Sequence, residues 1–167
     1  MITDNKMLPA MALAIATLFL LAACGTEEET NTQAPQAEDP MHMVVYQDPQ
    51  CGCCSVWVNH LETNGFTATV IDEPDFMARL EHAGLPPKLS SCHTALVGGY
   101  VIEGHVPAED VKRLLAERPE AHGLTVPGMP IGSPGMEHGR YRQAYDVLLV
   151  DHSGDFQVFN HYPAVAP

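Results

Sequence analysis

Basic side chains are scarce in this chain: 8 Lys and Arg stand against 21 Asp and Glu, for a formal net charge of −13. Phosphate backbones are bound by clustered Lys and Arg, so nucleic acid is excluded as a partner. An acidic surface can attract cations, although a solvated acidic face is its commoner explanation. A long hydrophobic run is missing too. The most apolar stretch, residues 7–22, is interrupted by Pro9 and Thr17 and is too short and poorly flanked for a comfortable transmembrane helix. There is no internal repeat. Cysteine is sparse, five in 167 residues, yet three of the five fall within Cys51-Gly52-Cys53-Cys54. Packing does not explain such a concentration, so these sulfurs are expected to bind or exchange something.

The apolar run ends in small residues, as a signal peptide does. Leu21-Ala22-Ala23-Cys24 resembles the lipobox of bacterial lipoproteins. That resemblance implies cleavage before Cys24, lipid on its sulfur and attachment to a membrane. Gly25 rather than Asp follows the cysteine, which favours the outer membrane of a Gram-negative cell. Residues 24–42 then read as an acidic flexible tether, because Glu27, Glu28, Glu29, Glu38 and Asp39 alternate with small polar residues. Such a segment cannot bury enough surface to offset its ordering entropy. The expected organisation is a signal peptide over 1–23, the tether over 24–42 and one domain over 43–167.

Within that domain the pattern predicts a buried strand over 43–47 and a turn at Asp48-Pro49-Gln50. Cys54, Trp57, Val58 and Leu61 follow at helical spacing, with Gly65 as stop. A second strand is expected over 66–72. Pro74 leads into a helix carrying Phe76, Met77 and Leu80 on one side. Strands over 94–97 and 100–103 flank the hairpin signal Gly98-Gly99. Pro107 opens a helix with Val111, Leu114 and Leu115 apolar. This βαβα-ββα order resembles a thioredoxin-like α/β fold. Residues 122–140, rich in Pro and Gly, are expected to be irregular, neither helix nor strand. An extra C-terminal β-hairpin is expected from 145–150 and 156–162.

In a thioredoxin-like arrangement, Cys51 and Cys54 would sit where the first strand meets the first helix. The helix dipole and the free N–H groups stabilise a thiolate there. Cys51 should be the accessible sulfur and Cys54 the buried one. With Cys24 lipidated, four thiols remain, and outside the cytoplasm such thiols are oxidised, catalytic or metal-bound. A Cys51–Cys54 bridge is one option, but it leaves Cys53 and Cys92 to find each other from divergent positions. Cys92-His93 occupies the slot where thioredoxin-like proteins carry a cis-proline, so both residues should approach the 51–54 loop. Three Cys from one loop with Cys and His from another form a soft donor set suited to Cu(I) or Zn(II). His105 follows the last hairpin strand and is a further candidate. Met129 and Met136 sit in the irregular loop, where a thioether can serve Cu(I) or simply fill space. His122 and His138 rank below these as copper-facing candidates, and His42, His60, His82, His152 and His161 are assigned to the surface by default.

Four blocks carry a wider resemblance. They are Cys51-Gly52-Cys53-Cys54 with Trp57; Ser91-Cys92-His93-Thr94-Ala95; 100–107; and 126–137 with Pro127-Gly128-Met129-Pro130 and Pro134-Gly135-Met136-Glu137. Together they resemble the CopG-type family of exported thioredoxin-like proteins associated with bacterial copper resistance. The resemblance implies a copper site built from Cys51, Cys53, Cys54, Cys92 and His93, able to hold several ions bridged by thiolates. Lower-ranked ligands are His105, Met129 and Met136. The function expected is copper binding in the cell envelope, holding Cu(I) and, through imidazole, Cu(II), with copper redox as an extension. Other periplasmic copper proteins would be its partners. Two readings stand against it: a thiol–disulfide oxidoreductase using Cys51 and Cys54, and a structural zinc site or passive metal store.

Overall fold

The structure is a computed structural model and describes residues 39–167. The expected signal peptide, Cys24 and most of the tether lie outside the described residues. No helix among the described residues is long and apolar enough to cross a membrane.

The domain is mixed α/β, built on a seven-stranded sheet of order β2-β1-β3-β4-β5-β6-β7. Strand β1 (His42–Gln47) leads into helix α1 (Gly52–Thr63), then β2 (Thr67–Asp72), helix α2 (Phe76–Ala83) and strand β3 (His93–Val97). Strand β4 (Tyr100–Gly104), helix α3 (Ala108–Glu117) and strands β5 (Gly123–Val126), β6 (Tyr145–Val150) and β7 (Phe156–Tyr162) follow. β1 runs parallel to β2 and antiparallel to β3, and β3 and β4 form the hairpin read from Gly98-Gly99. The expected βαβα-ββα order is therefore present, and the C-terminal hairpin β6–β7 is present as well.

Two expectations need correction. Residues 122–140 are not irregular throughout, because 123–126 is a buried strand. β5 lies parallel to β4 and antiparallel to β6, and so splices the C-terminal hairpin into the main sheet. Four residues are too few to display a period, and pairing on both edges, a tertiary effect, makes them a strand. The second correction concerns α2. Phe76 and Met77 do not face the core; they are exposed, while Arg79 is buried. The Arg79 guanidinium is drawn inward by the Glu73 carbonyl and lies 4.0 Å from the Asp48 carboxylate.

The core lies between the sheet and helices α1 and α3. Trp57 and Leu61 of α1 and Val111 and Leu114 of α3 meet Met43, Val45, Ala95, Ile102 and Leu124 of the sheet. Burying each such side chain contributes roughly 1.5–3 kcal/mol. The hairpin is clipped to α3 by buried Asp110, which accepts from Asn160 Nδ2 at 2.8 Å and from the Tyr162 hydroxyl at 2.7 Å. The end of β1 that leads into α1, the start of β3 and the end of β4 all fall at the same end of the strands, where Gln47 pairs with His93 and Thr94 with Glu103.

Candidate metal centre

The 51–54 loop is shaped by its own turn. The Asp48 side chain accepts the Gln50 N–H at 2.8 Å, and the Asp48 carbonyl accepts the Cys51 N–H at 2.9 Å. This turn places Cys51 at the N-cap of α1, where no side-chain oxygen satisfies the first helical amides. Cys53 and Cys54 lie in the first turn. Cys54 points into the core with Trp57, fully buried, whereas Cys51 and Cys53 are half-buried. Cys51 and Cys54 are joined as a disulfide. Cys53 Sγ lies 3.5 Å from Cys51 Sγ.

The second loop delivers Cys92 to the same point. Its Sγ stands 3.4 Å from Cys54 Sγ, although 38 residues separate the two. The four sulfurs of Cys51, Cys53, Cys54 and Cys92 form one donor group within 4.8 Å of one another. Cys92, His93 and His105 form a second, also within 4.8 Å. Cys92 belongs to both. Its Sγ is 3.3 Å from His93 Nδ1 and 3.2 Å from His105 Nε2.

The two imidazoles are oriented by the main chain. The far nitrogen of His93, Nε2, is 3.0 Å from the Gly104 carbonyl, and that of His105, Nδ1, is 2.8 Å from the Pro134 carbonyl. A carbonyl only accepts, so each far nitrogen donates, and the neutral ring keeps its lone pair on the nitrogen facing Cys92. This is how ligating histidines are usually held. Burial keeps both rings neutral. It depresses His93 to about 3, helped by neighbouring His105. It also lowers His105, against the opposing Pro134 carbonyl and Glu137. Trp57 packs on His93 at a ring separation of 4.2 Å and anchors its own Nε1–H on the Val106 carbonyl at 2.9 Å. The Cys92 thiol is pushed up to about 12 by burial and then by the charge of nearby Cys53.

Glu103 fixes the second loop. Its carboxyl accepts the Ser91 N–H at 2.6 Å and the Thr94 hydroxyl at 2.6 Å, gripping the chain on both sides of Cys92-His93. Burial raises it to about 7 in spite of those two donors. Gly104, beside it, has φ +72, and a Cβ there would lie 2.6 Å from both Ser91 Cβ and the Val126 carbonyl. That left-handed turn carries the chain from β4 to His105.

The 127–137 loop closes the site. The Ser91 hydroxyl donates to the Gly128 carbonyl at 2.6 Å, and Pro134 holds His105 as described. Gly135, φ +83, lets the loop lie against α1, since a Cβ there would come within 2.7 Å of the Cys53 carbonyl. Met129 is exposed and lines a cleft of about 400 Å³ together with Cys51, Cys92, Phe76 and Arg79. Met136 belongs to a tight turn, its N–H bonded to the Ser133 carbonyl and its own carbonyl accepting from Gly132, and does not line that cleft.

The structure thus brings together Cys51, Cys53, Cys54, Cys92, His93 and His105, sets Met129 at the cleft mouth and leaves Met136 in the covering loop. Two of the other histidines have local tasks: His60 Nε2 accepts the first N–H of α3, from Ala108, at 3.2 Å, and His122 donates to the Ala83 carbonyl at 2.7 Å. Glu103 and the Pro134 carbonyl are not among the sequence-derived candidates. A single Glu directly after the apolar run Tyr100-Val101-Ile102 was the one signal for the former.

As a donor set, four sulfurs and two neutral imidazoles fit a soft or borderline metal such as Cu(I) or Zn(II). No carboxylate belongs to either group, which disfavours Mg(II) or Ca(II).

Known proteins share this chain's layout. A solved structure described as "Copper resistance protein copG- Form 1" is 45% identical, with a TM-score of 0.71 over 75% of this chain and 99% of that one. A second, described as "Copper resistance protein copG- Form 2", has the same identity and TM-score and is covered over 100% of its length. The family model "Protein of unknown function, DUF411" matches residues 89–136, which include Cys92, His93, His105, Met129 and Met136. A search of curated proteins gives no match.

Proposed function

The chain belongs to the family of CopG-type copper resistance proteins, and from that premise we propose that it binds copper in the cell envelope, holding Cu(I) as a thiolate-bridged multi-copper cluster. Cys51, Cys53, Cys54 and Cys92 supply the sulfurs in their reduced form, and His93 and His105 supply nitrogen. The observation that carries the reading is the double membership of Cys92, whose Sγ lies within 3.4 Å of Cys54 Sγ and within 3.3 Å of the lone-pair nitrogens of both imidazoles. Bridging needs a sulfur that faces two groups of ligands at once, and Cys92 does. The imidazoles suit Cu(II) as well, so one site serves both oxidation states. Met129 is positioned as a capture ligand at the cleft mouth. Met136 is the weakest candidate for a copper contact.

The test is anaerobic Cu(I) titration against a competing chelator. More than one tightly bound copper per chain is expected. Unchanged stoichiometry in the Cys92→Ala/His93→Ala variant would show that the second loop does not complete the site.

A second reading rests on the Cys51–Cys54 disulfide, which thiol–disulfide exchange at a helix start would produce. Metal-free reduction of a model disulfide, abolished by Cys51→Ser, is the outcome that favours it. For location, the lipobox-like Leu21-Ala22-Ala23-Cys24 supports a lipid anchor on the periplasmic face of an outer membrane, with other periplasmic copper proteins as partners. Mass analysis of the mature N-terminus for acyl chains on Cys24 tests the anchor.

A further inference from the structure

We propose that the cleft between α2 and the 127–137 loop binds a free, zwitterionic α-amino acid with a thioether or thiol side chain, methionine being the type. Arg79 takes its carboxylate and Asp48 its ammonium group. The sulfur in the side chain rests on the copper-binding reading above; the recognition of the zwitterion does not.

Arg79 carries the inference. Its side chain is buried, only 7% exposed, yet it lines the cleft. A guanidinium has five N–H donors and no acceptor. Here Nη1 donates to the Glu73 carbonyl, and Nη2 lies 4.0 Å from Asp48 Oδ2. Nε has no hydrogen-bond partner among the described residues. Nε and Nη2 form one edge of the group, an edge that a carboxylate meets with two parallel hydrogen bonds. A buried donor left unpaired is costly, so an orphan on the wall of a cleft points to a ligand that supplies the acceptor.

Asp48 sets the class of that ligand. It lines the same cleft, and its Oδ1 is held by the Gln50 N–H at 2.8 Å, which leaves Oδ2 for a donor. A bare anion at Arg79 would be repelled by this carboxylate. A molecule with an ammonium group beside its carboxylate meets both charges and adds no net charge. The other walls are apolar or soft: Phe76, Met129 and the sulfurs of Cys51 and Cys92. Among them a charged side chain would lose hydration without a partner, whereas a thioether or thiol would not. The cleft holds about 400 Å³, within the ordinary range for small-molecule sites. When copper is bound, the ligand's sulfur is one more soft donor on the cleft side of the centre.

The experiment titrates the metal-free chain with L-methionine and follows it by heteronuclear NMR. Methionine does not exchange with a disulfide, so the cysteines keep their state. Saturable shifts of the Asp48, Phe76, Arg79 and Gly128 amides are expected. Methionine amide lacks the carboxylate and methylthiopropanoate lacks the ammonium group; each should bind on the order of tenfold more weakly. Equal binding of either, or no saturation with methionine, overturns the site. These comparisons use the wild-type chain, so they hold even where a variant fails to fold. In Arg79→Gln the preference for methionine over its amide should vanish, a change that a merely looser fold does not produce. A preserved preference would overturn the role of Arg79. The sulfur is tested on the Cu(I)-loaded chain, where methionine should bind roughly tenfold more tightly than norleucine. Equal binding there removes the sulfur from the proposal. Cu(I) titration keeps the two readings apart. If Cu(I) binds and methionine does not, this inference fails and the copper reading stands. If methionine binds and Cu(I) does not, the zwitterion site stands, and the copper reading falls together with the sulfur.

Discussion

The two halves of the metal centre are held in different ways. The 51–54 half offers sulfur only, sits on a helix start without a side-chain cap, and borders an open cleft. In the 92–105 half both imidazoles are buried, and each donor is fixed by a neighbour: His93 by Gly104 and Trp57, His105 by Pro134, and Cys92 through the grip of Glu103 on Ser91 and Thr94. The first half already contains a disulfide, while both imidazoles of the second face Cys92 in one defined tautomer. One side can make and break a bond, and the other keeps the geometry while it does.

The sharpest way to break the comparison is at Cys92, which both halves share. Cys92→Ala should lower Cu(I) affinity by more than the roughly 10–100-fold that loss of an outer partner costs, and should reduce the tight stoichiometry. Cys53→Ala removes a sulfur from the variable half only, so the imidazole group survives and the loss should be smaller. Chelator competition on both variants decides the matter, and an equal loss would mean that the halves are not distinct.

Glu103 tests whether the second half depends on its support. Its folded-state value is raised to about 7 by burial, from 4.5. Between those values the folded chain keeps a proton that the unfolded chain has released. The stabilisation is therefore full below about pH 4.5 and is lost as pH rises through 7, amounting to about 3 kcal/mol. Glu103→Gln should flatten that part of the stability–pH curve measured by chemical denaturation; parallel curves would reject the assignment. Gln offers an acceptor to the Ser91 N–H but no second acceptor to the Thr94 hydroxyl. Cu(I) affinity should fall roughly tenfold as Cys92-His93 loosens.

Proton competition separates the halves again. His93, depressed to about 3, stays a neutral imidazole through the neutral range, with Nδ1 open towards Cys92, and contributes no pH dependence there. Cys92, pushed up to about 12, must lose its one proton to become a metal-binding thiolate. Apparent Cu(I) affinity should therefore rise about tenfold per pH unit for each thiol proton displaced. Chelator competition across roughly pH 6 to 8 measures the slope, and a flat profile would argue against a Cys92 ligand.

The sequence made the variable half easier to read than the fixed one. Cys51, Cys53 and Cys54 are close in the chain, and the strand before them and helix after them follow from local periodicity. Cys92-His93 was readable through its position before a hairpin strand. His105 was a lower-ranked candidate because its direction depends on the left-handed turn at Gly104 and on a carbonyl 29 residues away. β5 was missed for a similar reason: its four residues owe their conformation to partners on both sides. Arg79 was hidden inside an apparently amphipathic pattern that Phe76 and Met77 suggested; those two face solvent instead, and Phe76 lines the cleft. Contacts between distant segments leave little trace in local spacing.

The smallest expected effect lies at the cleft mouth. Met129 is 53% exposed, and it shares the cleft with Cys51 and Cys92 without belonging to either cluster of Cys and His. A thioether there can meet Cu(I) before the thiolates do. Met129→Leu keeps the volume and removes the sulfur, so stability should change by less than about 1.5 kcal/mol. Copper capacity should stay the same, while the rate of Cu(I) uptake, followed by stopped-flow absorbance, falls a few-fold. Lower capacity would instead place Met129 inside the site, as a ligand that belongs to neither half. An unchanged uptake rate would leave the thioether with no part in capture, and the sulfurs of Cys51 and Cys92 as the first that an ion entering the cleft meets.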